Sequence, residues 1–359
     1  MRRSPTYRPR DVRPSAHRGP RPVPPARAPF AVLAMLAALL SVACSGTADT
    51  GPEFTLVAGH QLAGDTPFDE GLQRFAELTE EKTGGRVVVQ THSSAAVGSE
   101  PEMFMGMQAG TIDAAVVAPG SIAEFVPEMN LLSMPFLISS RAQRDAVIAG
   151  PARRLEALVH ERTGVRTMGY FGGGIRNMFF TAPAGDADAI AGRLFRIQPS
   201  SILADSFAAL GLAPTVVAYN ELYSGLQQGV VDGADNESVF VVSQRFYEPA
   251  PNLLLTEHEV TIRPLMISSV TLDRLPDDLA AAVLDAGAQA AADERELEAE
   301  AEDAALAELR EEHGMEIQEV DTAPMVDAVR PVWERYADAW GMRDLLDEII
   351  AAGETEGER

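Results

Sequence analysis

Arg196 is the residue whose type and setting hold the most chemistry. It lies in Leu194-Phe195-Arg196-Ile197-Gln198, which alternates as a strand does, so Arg196 and Gln198 face one side and Phe195 and Ile197 the other. A guanidinium within a core-like strand must have a partner or line a cavity, because burying an unpaired charge is prohibitive. In open α/β sheets the carboxyl ends of strands face the ligand crevice, and Arg196 sits at such an end. Guanidinium is always charged and offers parallel donors that match a carboxylate. Two readings stand side by side: an anion anchor, or a buried ion pair with Asp232 on a neighbouring strand. Arg176, two residues past Gly172-Gly173-Gly174, invites the same pair of readings. Asp235-Asn236-Glu237 follows an Asp-Gly strand end, where its side chains either cap the next helix or present an amide and carboxylates to ligand hydroxyls. Tyr219 and Tyr223 read as packing.

Other chemistries lack their signatures. The six histidines are scattered without a pair at metal spacing, and Cys44 is the single cysteine. Neither a Gly-x-Ser-x-Gly elbow nor a Gly-x-Gly-x-x-Gly fingerprint occurs. The glycine triplet has no following Gly-Lys-Ser/Thr to hold a phosphate. Nothing in the sequence points to catalysis, and no metal or cofactor is expected.

The elements that must position these residues read as α/β units. From 192 to 248 the pattern predicts strand, helix, strand, helix and a third strand ending at Asp232-Gly233, and a similar unit opens at residue 54. Met103 to Ala114 echoes Leu222 to Gly233 at a constant offset: Gly106 with Gly225, Gln108 with Gln227, Gly110 with Gly229, Asp113 with Asp232. Two similar lobes, each with a helix, a glycine at its C-terminus and a strand ending at the aspartate, account for the echo. The glycine triplet between two strands reads as a crossing between lobes. Residues 276–312, rich in Ala, Glu, Asp and Leu, predict a helix longer than about 40 Å, kinked near Gly287, with a solvated acidic face.

Composition bounds the rest. A chain of 359 residues with 46% hydrophobic and 23% charged residues is an ordinary globular protein of one large or two smaller cores. With 53 acidic against 29 basic residues, and eight of the arginines before residue 44, the surface argues against nucleic-acid binding. An anionic ligand would then need a local positive pocket. The basic head, the short apolar run at 30–40 and the small residues at its exit predict a secretory signal over 1–43. Cys44 follows Ala43 as in a bacterial lipobox, which predicts lipid attachment there and a protein outside the cytoplasm held to the membrane by lipid alone. Residues 44–53 read as linker and 351–359 as a flexible tail.

Several blocks form an ordered series: Phe195-Arg196-Ile197, Leu210-Gly211 with Pro214, Glu221 through Gly233, Phe246-Tyr247-Glu248 and Thr256-Glu257-His258. Upstream, Gly110-Thr111-Ile112-Asp113, Glu124 to Glu128 and Met134 to Leu137 extend it. The series resembles the solute-binding receptors of tripartite ATP-independent periplasmic (TRAP) transporters, of the dicarboxylate-receptor type. The resemblance implies an α/β, two-lobed periplasmic-binding-protein (class II-like) fold with crossing strands and a long bracing helix. It implies lobe I over 54–173 with about 265–304, and lobe II over 174–264 with about 305–350. It implies capture of a small organic acid for delivery to membrane permease subunits, with Arg196 gripping the carboxylate and Arg176 near the ligand. Gln198 and the run Asp235-Asn236-Glu237 are similar to the branch that binds sugar acids such as hexuronates, whose run reads Glu-Asn-Asn. Val239 replaces an asparagine that contacts ligand in sialic-acid receptors, and Thr66-Pro67 replaces a His-Pro pair. A sensory binding protein for a separate receptor, or an enzyme on the same scaffold, are the rival readings.

Overall fold

The computed structural model describes residues 51–185 and 187–357; the expected signal segment, the linker up to Thr50 and Cys44 lie outside them. Eleven strands are seen among the described residues: β1 Phe54–Gly59, β2 Val87–His92, β3 Ala114–Val116, β4 Val165–Phe171, β5 Ile175–Phe180, β6 Leu194–Ile197, β7 Ala213–Val216, β8 Gly233–Glu237, β9 Asn252–Val260, β10 Arg263–Ser268 and β11 Glu316–Glu319. They form two sheets, ordered β2-β1-β3-β10-β4 and β11-β9-β5-β8-β6-β7. Read from β2 and from β7, the two have the same plan: an edge strand, the first strand of the unit, a parallel third strand, then an antiparallel strand brought in from elsewhere in the chain.

The offset echo is a structural one. The Gly110 and Gly229 backbones are left-handed, with φ 72° and 70°, and each ends its helix. Amides of Thr111 and Val230 donate to the carbonyls of Gly106 and Gly225. Asp113 accepts the Val57 amide of β1 at 2.7 Å and Asp232 accepts the Leu194 amide of β6 at 2.9 Å. Each aspartate therefore ties the end of a helix to the neighbouring strand. The third strand of each unit starts after this aspartate instead of ending at it, because the carboxylate and backbone at that position are already engaged with β1 or β6.

The chain passes between sheets three times, from β4 to β5 through the glycine triplet, back from β9 to β10 through Thr261-Ile262, and again from β10 to β11 by way of the helix Asp277–Glu311. The first two passages lie against each other: the Thr261 amide donates to Gly174 O at 3.0 Å. At Gly172, φ is 111° and a Cβ would stand 2.3 Å from Thr261 O, so only glycine fits. The long helix runs unbroken as Asp277–Glu311. Gly287 serves close packing, since a Cβ there would come within 2.7 Å of Met168. One face of the helix departs from the expected solvated character: Glu294, Glu298 and Glu302 are buried at 1%, 0% and 2% exposure, the first two against the glycine triplet and the third against Ser238 and Val239 beyond β8. The last helix continues to Gly357, past the expected start of a tail at 351; near its end the Ile349 carbonyl accepts from Gln143.

Candidate functional site

Two strands of the second sheet carry the positive charge. Arg176 opens β5, and Arg196 lies in β6 beside it across β8. With Arg263, which opens β10 in the first sheet, they line a cavity that also meets His60, Glu100, Gln198, Tyr219, Asn236 and Glu237. The cavity has a volume of about 60 Å³. That is room for one small molecule and not for a polymer. Gln198 approaches from the second sheet to within 3.1 Å of where a Gly120 Cβ would lie, so the two lobes meet across the mouth.

The three arginines are differently employed. Arg176 donates to Asp235 and Glu237 at 2.7 Å each and to Asn236 Oδ1 at 3.0 Å, with Glu259 at 3.8 Å. Burial works against its charge, yet these carboxylates hold it well above its ordinary pKa. Arg263 sits 3.6 Å from Glu237 and 3.9 Å from Glu259. Arg196 has no carboxylate of its own among the described residues: its Nε donates to Val217 O at 3.0 Å, and the guanidinium lies 5.6 Å from the Tyr219 ring centre. Only 6% of it is exposed. Burial, abetted by the Arg176 charge and opposed by Asp235, pushes this guanidinium below its ordinary value. The expected alternative, an ion pair with Asp232, does not form, because that carboxylate is spent on the Leu194 amide. A buried guanidinium with two nitrogens unused and a cavity before it is arranged to receive an anion.

The acidic groups are not equivalent either. Burial works to raise the Asp235 carboxyl, but Arg176 and His258 together hold it below the usual range. Glu259 is pushed up to about 7 by burial, against the pull of Arg176 and Arg263. Across the cavity Glu100 is raised by burial, with one oxygen accepting Ser121 Oγ at 2.7 Å and Ala118 N at 3.1 Å.

Residues 58–339 match the model of the bacterial extracellular solute-binding proteins, family 7. The chain belongs to that family. A relative, a solute-binding protein of Sulfitobacter sp. strain NAS-14.1, is 35% identical over 318 residues, covering 86% of this chain and 96% of its own length. The crystal structure of a TRAP periplasmic solute-binding protein from Sulfitobacter sp. NAS-14.1 with bound α-D-taluronate has a TM-score of 0.78 at 34% identity, over 82% of this chain and 97% of that one. A TRAP periplasmic solute-binding protein from Roseobacter denitrificans with bound β-D-glucuronate has a TM-score of 0.78 at 27% identity, over 83% and 99% of the two chains. The two-lobed fold and the resemblance to TRAP receptors both hold.

In this family 7 protein the structure brings five of the six residues singled out in the sequence to the cavity: Arg196, Arg176, Gln198, Asn236 and Glu237. Asp235 is set behind them, between Arg176 and His258 Nε2 at 3.2 Å. Nor do Asp235, Asn236 and Glu237 cap a helix. They are the body of β8, paired with Met178, Asn177 and Arg176 of β5, because Asp232 had already closed the preceding turn. Glu237 alone stands at the following helix's N-terminus, without a capping bond to it. Sequence reasoning missed His60, Glu100, Arg263 and the cavity role of Tyr219. His60 and Arg263 carried a faint signal, each being a polar residue directly beyond or at the start of a strand; Glu100 reads only as a helix start.

Proposed function

We propose that this protein is the receptor of a TRAP transporter for a monocarboxylate sugar acid of the hexuronate class. Arg196 carries the reading: it is the buried cation of the cavity without a carboxylate partner, while its neighbour Arg176 is met by three acidic side chains. One carboxylate of the ligand completes it. A second carboxylate would face Glu100 and Glu237, while Arg176 and Arg263 on the same walls are already met by acidic side chains, which disfavours plain dicarboxylates. Hydroxyl groups suit those walls, since carboxylates accept hydrogen bonds from them. The uronates bound to the relatives from Sulfitobacter and Roseobacter support the same class.

Arg176, Asn236, Glu237 and Gln198 are ligand-facing in this reading, and Asp235 positions Arg176. The cleft binds and releases; the family is one of binding proteins, and we assign no catalytic residue. Lobe I over 54–173 and about 265–304 closes on lobe II over 174–264 and about 305–350, and the closed receptor docks on the permease subunits. Lipid on Cys44 would hold it at the outer face of the membrane.

Micromolar affinity corresponds to about −8 kcal/mol, more than one ion pair supplies, so the hydroxyl contacts and the exclusion of water on closure add the rest. Calorimetry with D-galacturonate, D-glucuronate and succinate tests the proposal. Binding of a hexuronate with no measurable heat for succinate is the expected result. Succinate binding as tightly as the hexuronates would overturn the ligand class.

A further inference from the structure

Hydrogen bonds in the cavity have a direction that can be followed from atom to atom. Arg176 can only donate, so the Asn236 oxygen it reaches at 3.0 Å is the acceptor, and the amide cannot be turned round. Asn236 Nδ2 must then be the donor to the Tyr219 hydroxyl at 2.9 Å. The phenol oxygen accepts there, and its own proton is used by no described residue. Tyr219 lines the cavity beside Arg196, and burial pushes its pKa to about 12, so the proton stays on the oxygen.

The opposite wall has the reverse direction. Asp69 accepts Gln73 Nε2 at 2.8 Å with one oxygen and faces His60 Nε2 at 3.2 Å with the other. His60 therefore carries its proton on Nε2, and burial, opposed by Asp69, lowers its pKa and keeps the ring neutral. Its Nδ1 is then a bare acceptor, buried without a partner on a residue that is 1% exposed and lines the cavity. A buried acceptor left empty costs stability unless a ligand fills it.

We propose that the cleft is polarised, with Tyr219 donating from the second lobe and His60 Nδ1 accepting from the first, so that one ligand must offer an acceptor and a hydroxyl donor to the two walls at once. The inference rests on the sugar-acid reading and deepens it. Carboxylate and neighbouring oxygen face Arg196 and Tyr219; a hydroxyl hydrogen faces His60. Both side chains are specificity determinants that act only when the lobes have met. A carboxylic acid lacking hydroxyls satisfies Tyr219 and leaves His60 empty.

Calorimetry with D-galacturonate and D-glucuronate on the full chain tests this, with the melting temperature of the ligand-free protein as the check on the fold. Tyr219→Phe removes the hydroxyl, and with it the acceptor for Asn236 Nδ2, so it is expected to bind about tenfold more weakly while still melting cooperatively, a few degrees lower without ligand. His60→Gln keeps a donor for Asp69 but moves the acceptor, and is expected to lose about tenfold. His60→Asn, whose amide oxygen stands near the former Nδ1, is expected to stay within about threefold of wild type. If His60→Gln does not fold, Tyr219→Phe and His60→Asn decide. Tyr219→Phe and His60→Gln proteins that bind within about twofold of a wild type that itself binds a hexuronate would overturn the polarity and leave the sugar-acid reading standing, as would a His60→Asn protein that folds and binds about tenfold more weakly or worse. A wild type that binds neither hexuronate overturns both.

Discussion

The two arginines of the second sheet differ in what their removal would do. Arg196→Ala takes away a cation whose main role is to meet an anion, so binding should fall by about 2–5 kcal/mol while the fold persists. Equal hexuronate affinity in that variant, measured by calorimetry, would remove Arg196 from the site. Arg176→Ala is another matter. It would leave Asp235, Glu237 and Glu259 buried together without their shared cation, and destabilisation of about 3–5 kcal/mol is expected. A thermal melt checks it: an Arg176→Ala protein as stable as wild type would show that these carboxylates do not need the charge. Arg196 could be found in the sequence because an arginine amid strand alternation is conspicuous. Its freedom from Asp232 could not, because that depends on an amide–carboxylate bond formed between residues 38 apart.

Elements were legible to different degrees. The helices and most strands follow from periodicity and glycine stops, and the offset echo foretold a unit used twice. The starts of β3 and β8 were misplaced by several residues, since Ile112 and Val231 are strand-like by type but their amides turn back to Gly106 and Gly225 O, while the Asp113 and Asp232 carboxylates are bonded to β1 and β6. The long helix hid more. Glu294 accepts the Gly172 amide at 2.8 Å, Glu302 accepts Ser238 and Val239 amides, and Glu298 between them has both oxygens unbonded. Nothing in an acidic stretch says which glutamates turn inward. Burial pushes Glu294 and Glu302 up to about 7 and raises Glu298 well above its ordinary value, the neighbouring glutamates adding to it. Between the ordinary carboxylate range and about pH 7 the folded chain thus holds protons that an unfolded chain releases, so stability falls as pH rises through that window. Glu259 adds in the same direction. Ligand-free melting temperature should be several degrees higher at pH 5 than at pH 8. Glu298→Gln should raise stability at pH 8 and flatten the slope; a steeper or unchanged slope would show that Glu298 is ionised in the fold. At the passage between sheets, Gly172→Ala should cost roughly 1–3 kcal/mol from backbone conformation alone, and more from the approach of Thr261 O. Chemical denaturation measures it.

For the whole molecule, the shared plan of the sheets makes each lobe depend on the other end of the chain. Strand β10 sits between β3 and β4 of the first sheet, yet it arrives only after β5 to β9 have been laid down in the second. A chain cut after Ile262 would leave β3 and β4 with open edges where β10 should join them, and exposed edges invite pairing with other chains. Neither half can be finished while the other is missing. A polypeptide built this way stays without a complete first sheet until about three-quarters of its residues are available, and without a complete second sheet until β11 has followed.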